Sequence, residues 1–126
     1  MRAAEAVSSM RVLLAALAGV IAVALAGCGG ASKPASDTAL TIDITIAHGQ
    51  VTPSNATLQA TVRQPITLHV TSDATDELHV HSVPDHKFEV AATANQTFQF
   101  SVDVPGSVDV ELHHLDRTVA TIHVHP

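Results

Sequence analysis

Nine histidines stand in a chain of 126 residues that holds one cysteine, two methionines and no tryptophan or tyrosine. They are grouped. His79 and His81 lie two apart in ELHVH, His123 and His125 lie two apart in IHVHP, and His113 and His114 are adjacent in ELHHLD. In an extended strand, residues i and i+2 project from the same face, roughly 7 Å apart. Two imidazoles at that spacing can turn toward one ion, and neutral imidazole suits Cu(II), Zn(II) and Ni(II). One such pair is a modest signal; two pairs and a His-His step in so short a chain are a stronger one. The candidate metal ligands are therefore His79, His81, His113, His114, His123 and His125. His48, beside Gly49, reads as a turn residue, whereas His69 shares an outward strand face and stays open. Asp85, Glu77 and Asp116 have the chemistry of hard ligands, or of acceptors behind an imidazole. As strand-face and turn charges they also need no ligand to explain them.

The elements that must position these side chains follow from period-two alternation of apolar residues. Leu40, Ile42, Ile44 and Ile46 share one face, with Thr41, Asp43 and Thr45 on the other. Ala56 to Val62 reads as a second strand. Ile66, Leu68 and Val70 then point one way, and Thr67, His69 and Thr71 the other. Leu78 and Val80 point inward, followed by Phe88 and Val90, then Phe98, Phe100 and Val102. Val108, Val110 and Leu112 mark the penultimate strand, and Ala120, Ile122 and Val124 the last. His48-Gly49, Pro53-Ser54-Asn55, Gln64-Pro65 and Pro105-Gly106 punctuate the run. This predicts about eight short strands with turn signals every 8–12 residues or so, hence an all-β antiparallel sandwich. Immunoglobulin-like and cupredoxin-like arrangements share that periodicity. With these residues inward, His79, His81, His123 and His125 face outward.

The first stretch differs from the rest. Arg2 and Arg11 flank a charged start, Val12 to Ala26 is apolar and uncharged, and Leu25-Ala26-Gly27-Cys28 resembles the bacterial lipobox. The expected organisation is a lipoprotein signal peptide over 1–27, a lipidated Cys28 with a flexible Gly/Ser/Pro linker over 28–38, and one domain over 39–126. Met10 offers a second start that would leave a compact signal peptide. Cleavage before Cys28 removes Arg2, Arg11 and Glu5, leaving four basic and eleven acidic residues, a net −7. An acidic chain without a basic cluster argues against nucleic acid. Three phenylalanines as the whole aromatic complement give no stacking platform for bases. The expected partners are the membrane, through lipid at Cys28, a metal ion, and an envelope protein.

TSDATDELHVHS, FEVAA, FQFSVDVPGSVDVELHH and the final IHVHP together resemble small actinobacterial lipoproteins with a cupredoxin-like domain, over roughly Ile44 to Pro126. The most specific pieces are DELHVH and VPGSVDVEL, in which Pro-Gly turns the chain into the strand that leads to the copper-binding loop. The resemblance implies a Greek-key β-sandwich of seven or eight strands. In copper-binding members one histidine comes from the middle of the domain, and a cysteine, a second histidine and often a methionine come from the loop between the last two strands. His79 or His81 stands near the first histidine. The cysteine position falls near Leu112, and His113 and His114 stand beside the second histidine. Thr118 and Ala120 fill the methionine region. A blue-copper centre needs a thiolate, and the processed chain offers none, so a blue electron carrier is excluded. The first histidine and the last loop meet at one end of such a fold, which favours His113 or His114 as partners of His79 and His81.

The expected function is a membrane-tethered, extracytoplasmic copper- or zinc-binding module for storage, delivery or detoxification. The alternatives are an interaction module without metal, and a surface protein whose histidines respond to pH. There is no Gly-rich phosphate loop and no G-x-S-x-G, and no enzyme activity is expected.

Overall fold

The computed structural model describes residues 38–126. The expected leader, Cys28 and most of the linker lie outside these residues. Nine strands follow one another: β1 (Leu40–Ala47), β2 (Gln50–Thr52), β3 (Ala56–Thr61), β4 (Ile66–Ser72), β5 (Asp76–Val80), β6 (His86–Val90), β7 (Gln96–Phe100), β8 (Gly106–Leu112) and β9 (Arg117–His125). Among the described residues there is no helix.

The strands form two sheets, one of four strands in the order β2-β1-β4-β7 and one of five in the order β3-β9-β8-β5-β6. Each sheet is half-buried, so the alternation seen in the sequence becomes the division between core and solvent. Ile42, Ile44, Ile46, Leu68 and Val70 from the four-stranded sheet join Leu78, Val80, Val108, Val110, Leu112, Ile122 and Val124 from the five-stranded sheet in one apolar cluster. All the strand faces expected to be inward contribute to it, with Leu40, Phe88 and Phe98 only partly buried at its margin.

Two features depart from the expected all-antiparallel sandwich. The β1–β4 and β3–β9 ladders are parallel, while the other five pairings are antiparallel. Period two is the same in both kinds of ladder, so the sequence pattern carries no strand direction. The second feature is that the expected second strand is preceded by β2, three residues long, which pairs with β1 while β3 pairs with β9. The chain thus leaves one sheet and enters the other across Pro53-Ser54-Asn55. The β1–β2 hairpin closes through His48 and Gly49, both at positive φ (53° and 71°), as a tight two-residue turn requires. His48 is a turn residue, and its backbone N–H donates to Asp73 Oδ2 at 2.8 Å.

The centre of the five-stranded sheet decides where the histidines of β5 and β8 point. These two strands run antiparallel with Leu78 opposite Leu112, His79 opposite Glu111 and Val80 opposite Val110. Leu78, Val80, Val110 and Leu112 are all fully buried. Burying them sends Glu77, His79, Asp109, Glu111 and His113 to the outer face. A register shift between Val110 and Glu111, where Val119 and Ala120 of β9 are both buried, bends the end of this ladder, as a β-bulge does.

Leu112→Ala is expected to cost about 2–5 kcal/mol, because it empties a fully enclosed site against Leu78. Chemical denaturation followed by far-UV circular dichroism measures this, since no tryptophan or tyrosine is available as an optical probe.

Candidate metal centre

Three of the six candidate histidines come together. One ring nitrogen from each of His79, His81 and His113 lies within 4.8 Å of the others. His79 sits mid-strand on β5, between two buried residues. His81 continues the same strand line one step past its end, its backbone N–H donating to Asp109 O at 2.9 Å. His113 follows β8, and its backbone N–H donates to Glu77 O at 3.0 Å. All three are therefore held by ladder-type hydrogen bonds rather than by a free loop. The His79 and His81 ring centroids are 3.9 Å apart, and those of His79 and His113 are 5.0 Å apart, edge to face.

Each ring has its own carboxylate. His79 Nε2–H donates to Asp85 Oδ1 at 2.7 Å, His81 Nε2–H donates to Glu111 Oε2 at 2.9 Å, and His113 Nδ1–H donates to Glu77 Oε1 at 2.8 Å. A carboxylate oxygen accepts only, so each contact draws the ring proton outward and leaves a lone pair on the other nitrogen. The nitrogens so left are Nδ1 of His79, Nδ1 of His81 and Nε2 of His113. The first and last of these face each other at 3.1 Å. Two lone pairs at that distance repel unless a proton or a cation lies between them. Two nitrogens each about 2.0–2.1 Å from one ion stand roughly 2.9 Å apart at a right angle and roughly 3.3 Å apart at the tetrahedral angle. The observed separation falls between these values.

The site is graded in exposure. The His79 side chain is 13% exposed, His113 40% and His81 45%. His79 is thus the enclosed anchor, and the other two rings form the solvent side. Glu77 is the most enclosed of the three carboxylates, at 24%, and Lys87 Nζ stands 3.8 Å from its Oε1. The hydrogen bond from His79 holds the Asp85 carboxyl below the usual carboxylate range, with the Lys87 ammonium adding to the shift and desolvation opposing it.

Behind the cluster, Asp76 is 4% exposed. Its Oδ1 accepts the backbone N–H of Glu77 at 2.7 Å and of His114 at 2.9 Å, and its Oδ2 accepts that of Leu115 at 3.1 Å. This one side chain ties the start of β5 to the turn after β8, and so fixes where His113 stands.

The remaining candidates lie elsewhere. His114 follows His113 in the turn, but its Nδ1 lies 3.3 Å from Thr75 O. His123 and His125 are exposed on β9, opposite Gln59 and Thr61 of β3. His125 Nε2 pairs with Gln59 Oε1. His69 meets Asp43 at 3.2 Å on the outer face of the other sheet. Of the acidic residues singled out from the sequence, Glu77 and Asp85 accept from cluster histidines, and Asp116 does not. Glu111 and Asp76 were missed. A signal for Glu111 was present: Glu-Leu-His occurs twice, at 77–79 and 111–113. On antiparallel strands with the two leucines paired inward, each glutamate falls opposite or beside the other copy's histidine.

No family model matches this chain, and no curated protein matches it. Among solved structures, an oxidised variant of amicyanin aligns at 15% identity and a TM-score of 0.49, over 73% of this chain and 87% of that one. Auracyanin B aligns at 10% identity and 0.47, over 69% and 89%. A chain of a heme-copper terminal oxidase dimer aligns at 12% identity and 0.50, over 68% and 65%. Identities this low concern fold alone. The two sheets, with their strand order and split second strand, form an all-β sandwich. At the position expected for a copper-binding cysteine, near the end of β8, Leu112 points into the core.

Two outcomes test this geometry. Asp76→Ala strips three backbone N–H groups of their acceptor and is expected to cost about 2–4 kcal/mol, with amide hydrogen exchange accelerating first at His114 and Leu115. In the metal-free protein, His79→Ala is expected to let the Asp85 carboxyl rise toward its ordinary range, read by an NMR pH titration of the aspartate side chains. Because Asp85 is lowered in the folded protein, whatever stability it contributes is present above its unfolded-state value and disappears as pH falls through the folded one.

Proposed function

We propose that this chain binds one copper or zinc ion through His79, His81 and His113, and that it does so outside the cytoplasm while tethered to a membrane by lipid on Cys28. The observation that carries the metal reading is the facing pair of ring nitrogens, His79 Nδ1 and His113 Nε2, each with its proton drawn to a carboxylate on the far side of its ring. A cation between them turns a repulsive contact into two bonds. Three imidazoles with two on the solvent side suit an ion that must be taken up and passed on, so storage, delivery or detoxification of the metal is the role we assign. Cofactor-dependent catalysis is not part of this reading.

The tether rests on the sequence: the apolar Val12 to Ala26 run, the Leu-Ala-Gly-Cys ending and the small-residue stretch after it. A blue electron-carrying centre does not fit the residues, because the cluster offers nitrogen donors and Leu112 stands where the thiolate would be.

A Cu(II) titration of the full-length chain, followed by electron paramagnetic resonance, tests the metal reading. One equivalent is expected to bind with nitrogen hyperfine structure, and His79→Ala/His81→Ala is expected to abolish that signal while leaving the circular dichroism spectrum unchanged. Weak binding of many equivalents that persists in the double variant would sink the proposal and leave a histidine-decorated interaction module.

A further inference from the structure

The carboxylates around the cluster do more than orient rings. We propose that Glu77, Asp85 and Glu111 make the centre selective for a divalent ion over Cu(I), with Glu77 contributing most. This inference rests on the metal-binding reading above and concerns which ion that site prefers.

The first reason is charge. Three carboxylates lie within 2.7–2.9 Å of the three rings, and one ammonium, Lys87, stands 3.8 Å from Glu77. With neutral imidazoles the group carries a net −2. A divalent ion closes that balance to zero, whereas a monovalent ion leaves −1. The attraction of each carboxylate for the ion scales with the ion's charge, so it favours the divalent state twofold in energy. Water screens this attraction least at the least exposed carboxylate. Exposure rises from Glu77 (24%) through Glu111 (38%) to Asp85 (56%). Glu77 is therefore the strongest selector.

The second reason is donor chemistry. Soft thiolate and thioether ligands favour Cu(I), and imidazole with carboxylate support favours borderline divalent ions. Residues 38–126 hold neither cysteine nor methionine, so the domain supplies no sulfur to compensate a monovalent ion. The third reason is tautomer control. Each carboxylate fixes its ring with the proton outward, and His79 Nδ1 and His113 Nε2 are thereby left facing each other at 3.1 Å, a pair of lone pairs whose repulsion a higher charge between them offsets more fully.

Amide substitution separates charge from geometry. Glu77→Gln, Asp85→Asn and Glu111→Gln keep an acceptor oxygen for the ring N–H but remove the negative charge. Zn(II), Cu(II) and ascorbate-maintained Cu(I) affinities of the full-length chain are measured by competition with a chromophoric chelator. Glu77→Gln is expected to weaken Zn(II) and Cu(II) by about 10–100-fold and Cu(I) by the square root of that loss, about 3–10-fold. The triple amide variant is expected to widen that difference. Lys87→Gln is expected to shift the divalent-to-monovalent ratio in the opposite direction. Parallel losses for Zn(II) and Cu(I), or no change in either, would overturn the selectivity while leaving the metal site standing. If the wild-type chain takes up no ion at one equivalent, the metal reading itself fails.

Discussion

The register of β5 against β8 is the constraint on which the site depends. It is set by a pair of leucines, Leu78 and Leu112, that face each other in the core with almost no exposure. Side chains alternate strictly along a strand, so a slip of either strand by one residue would bury its charged groups and expose its leucine. Fully burying a leucine side chain is worth about 1.5–3 kcal/mol, and two buried valines, Val80 and Val110, reinforce the same register. The outward residues of both strands are then placed without further choice. His79 meets Glu111 across the ladder, and His113 meets Glu77 where the ladder ends. Metal chemistry on the outside is thus positioned by apolar packing on the inside.

Electrostatics completes what packing begins. Exposed ion pairs stabilise a fold by little, and nothing in this cluster needs to stabilise the fold. The acidic side chains act locally, each turning one ring. The buried Asp76 works differently, because it bonds to backbone rather than to side chains and joins two segments far apart in sequence. Hydrogen bonds from backbone amides to a carboxylate are among the stronger ones. A short turn that would otherwise fray is held against the sheet, and with it the ring of His113.

Much of the fold was legible in the sequence. Alternation named the inward residues of β1, β4, β5 and β8 and, apart from Val119, of β9, and it placed His79 and His81 together on an outward face. The resemblance then pointed to His113 or His114 as their partner. Less was legible where the answer depends on which strands are neighbours. His123 and His125 have the same spacing as His79 and His81, yet β8 separates β9 from β5, and no local pattern reveals that. The choice between His113 and His114 turns on alternation continuing one residue past β8. That continuation depends on the backbone bond to Glu77, a contact between residues 36 positions apart. The three-residue β2 is too short to alternate visibly. Glu111 was readable in principle, since the repeated Glu-Leu-His is local, but only once the two copies are set antiparallel.

The same alternation has a consequence for descent. Glu77, His79 and Glu111 are outward residues flanked on their strands by buried ones, and His81 and His113 continue the same alternation one step past the strand ends, so the cluster and the core share backbone but no side-chain positions. Substitutions that assemble or dismantle it leave the leucines and valines beneath untouched. Such a site can arise, change its ion or vanish over a few mutational steps at nearly constant stability. Chains that inherit this sandwich are under no structural obligation to inherit its histidines, and the cluster is a trait to be scored separately from the fold in each relative.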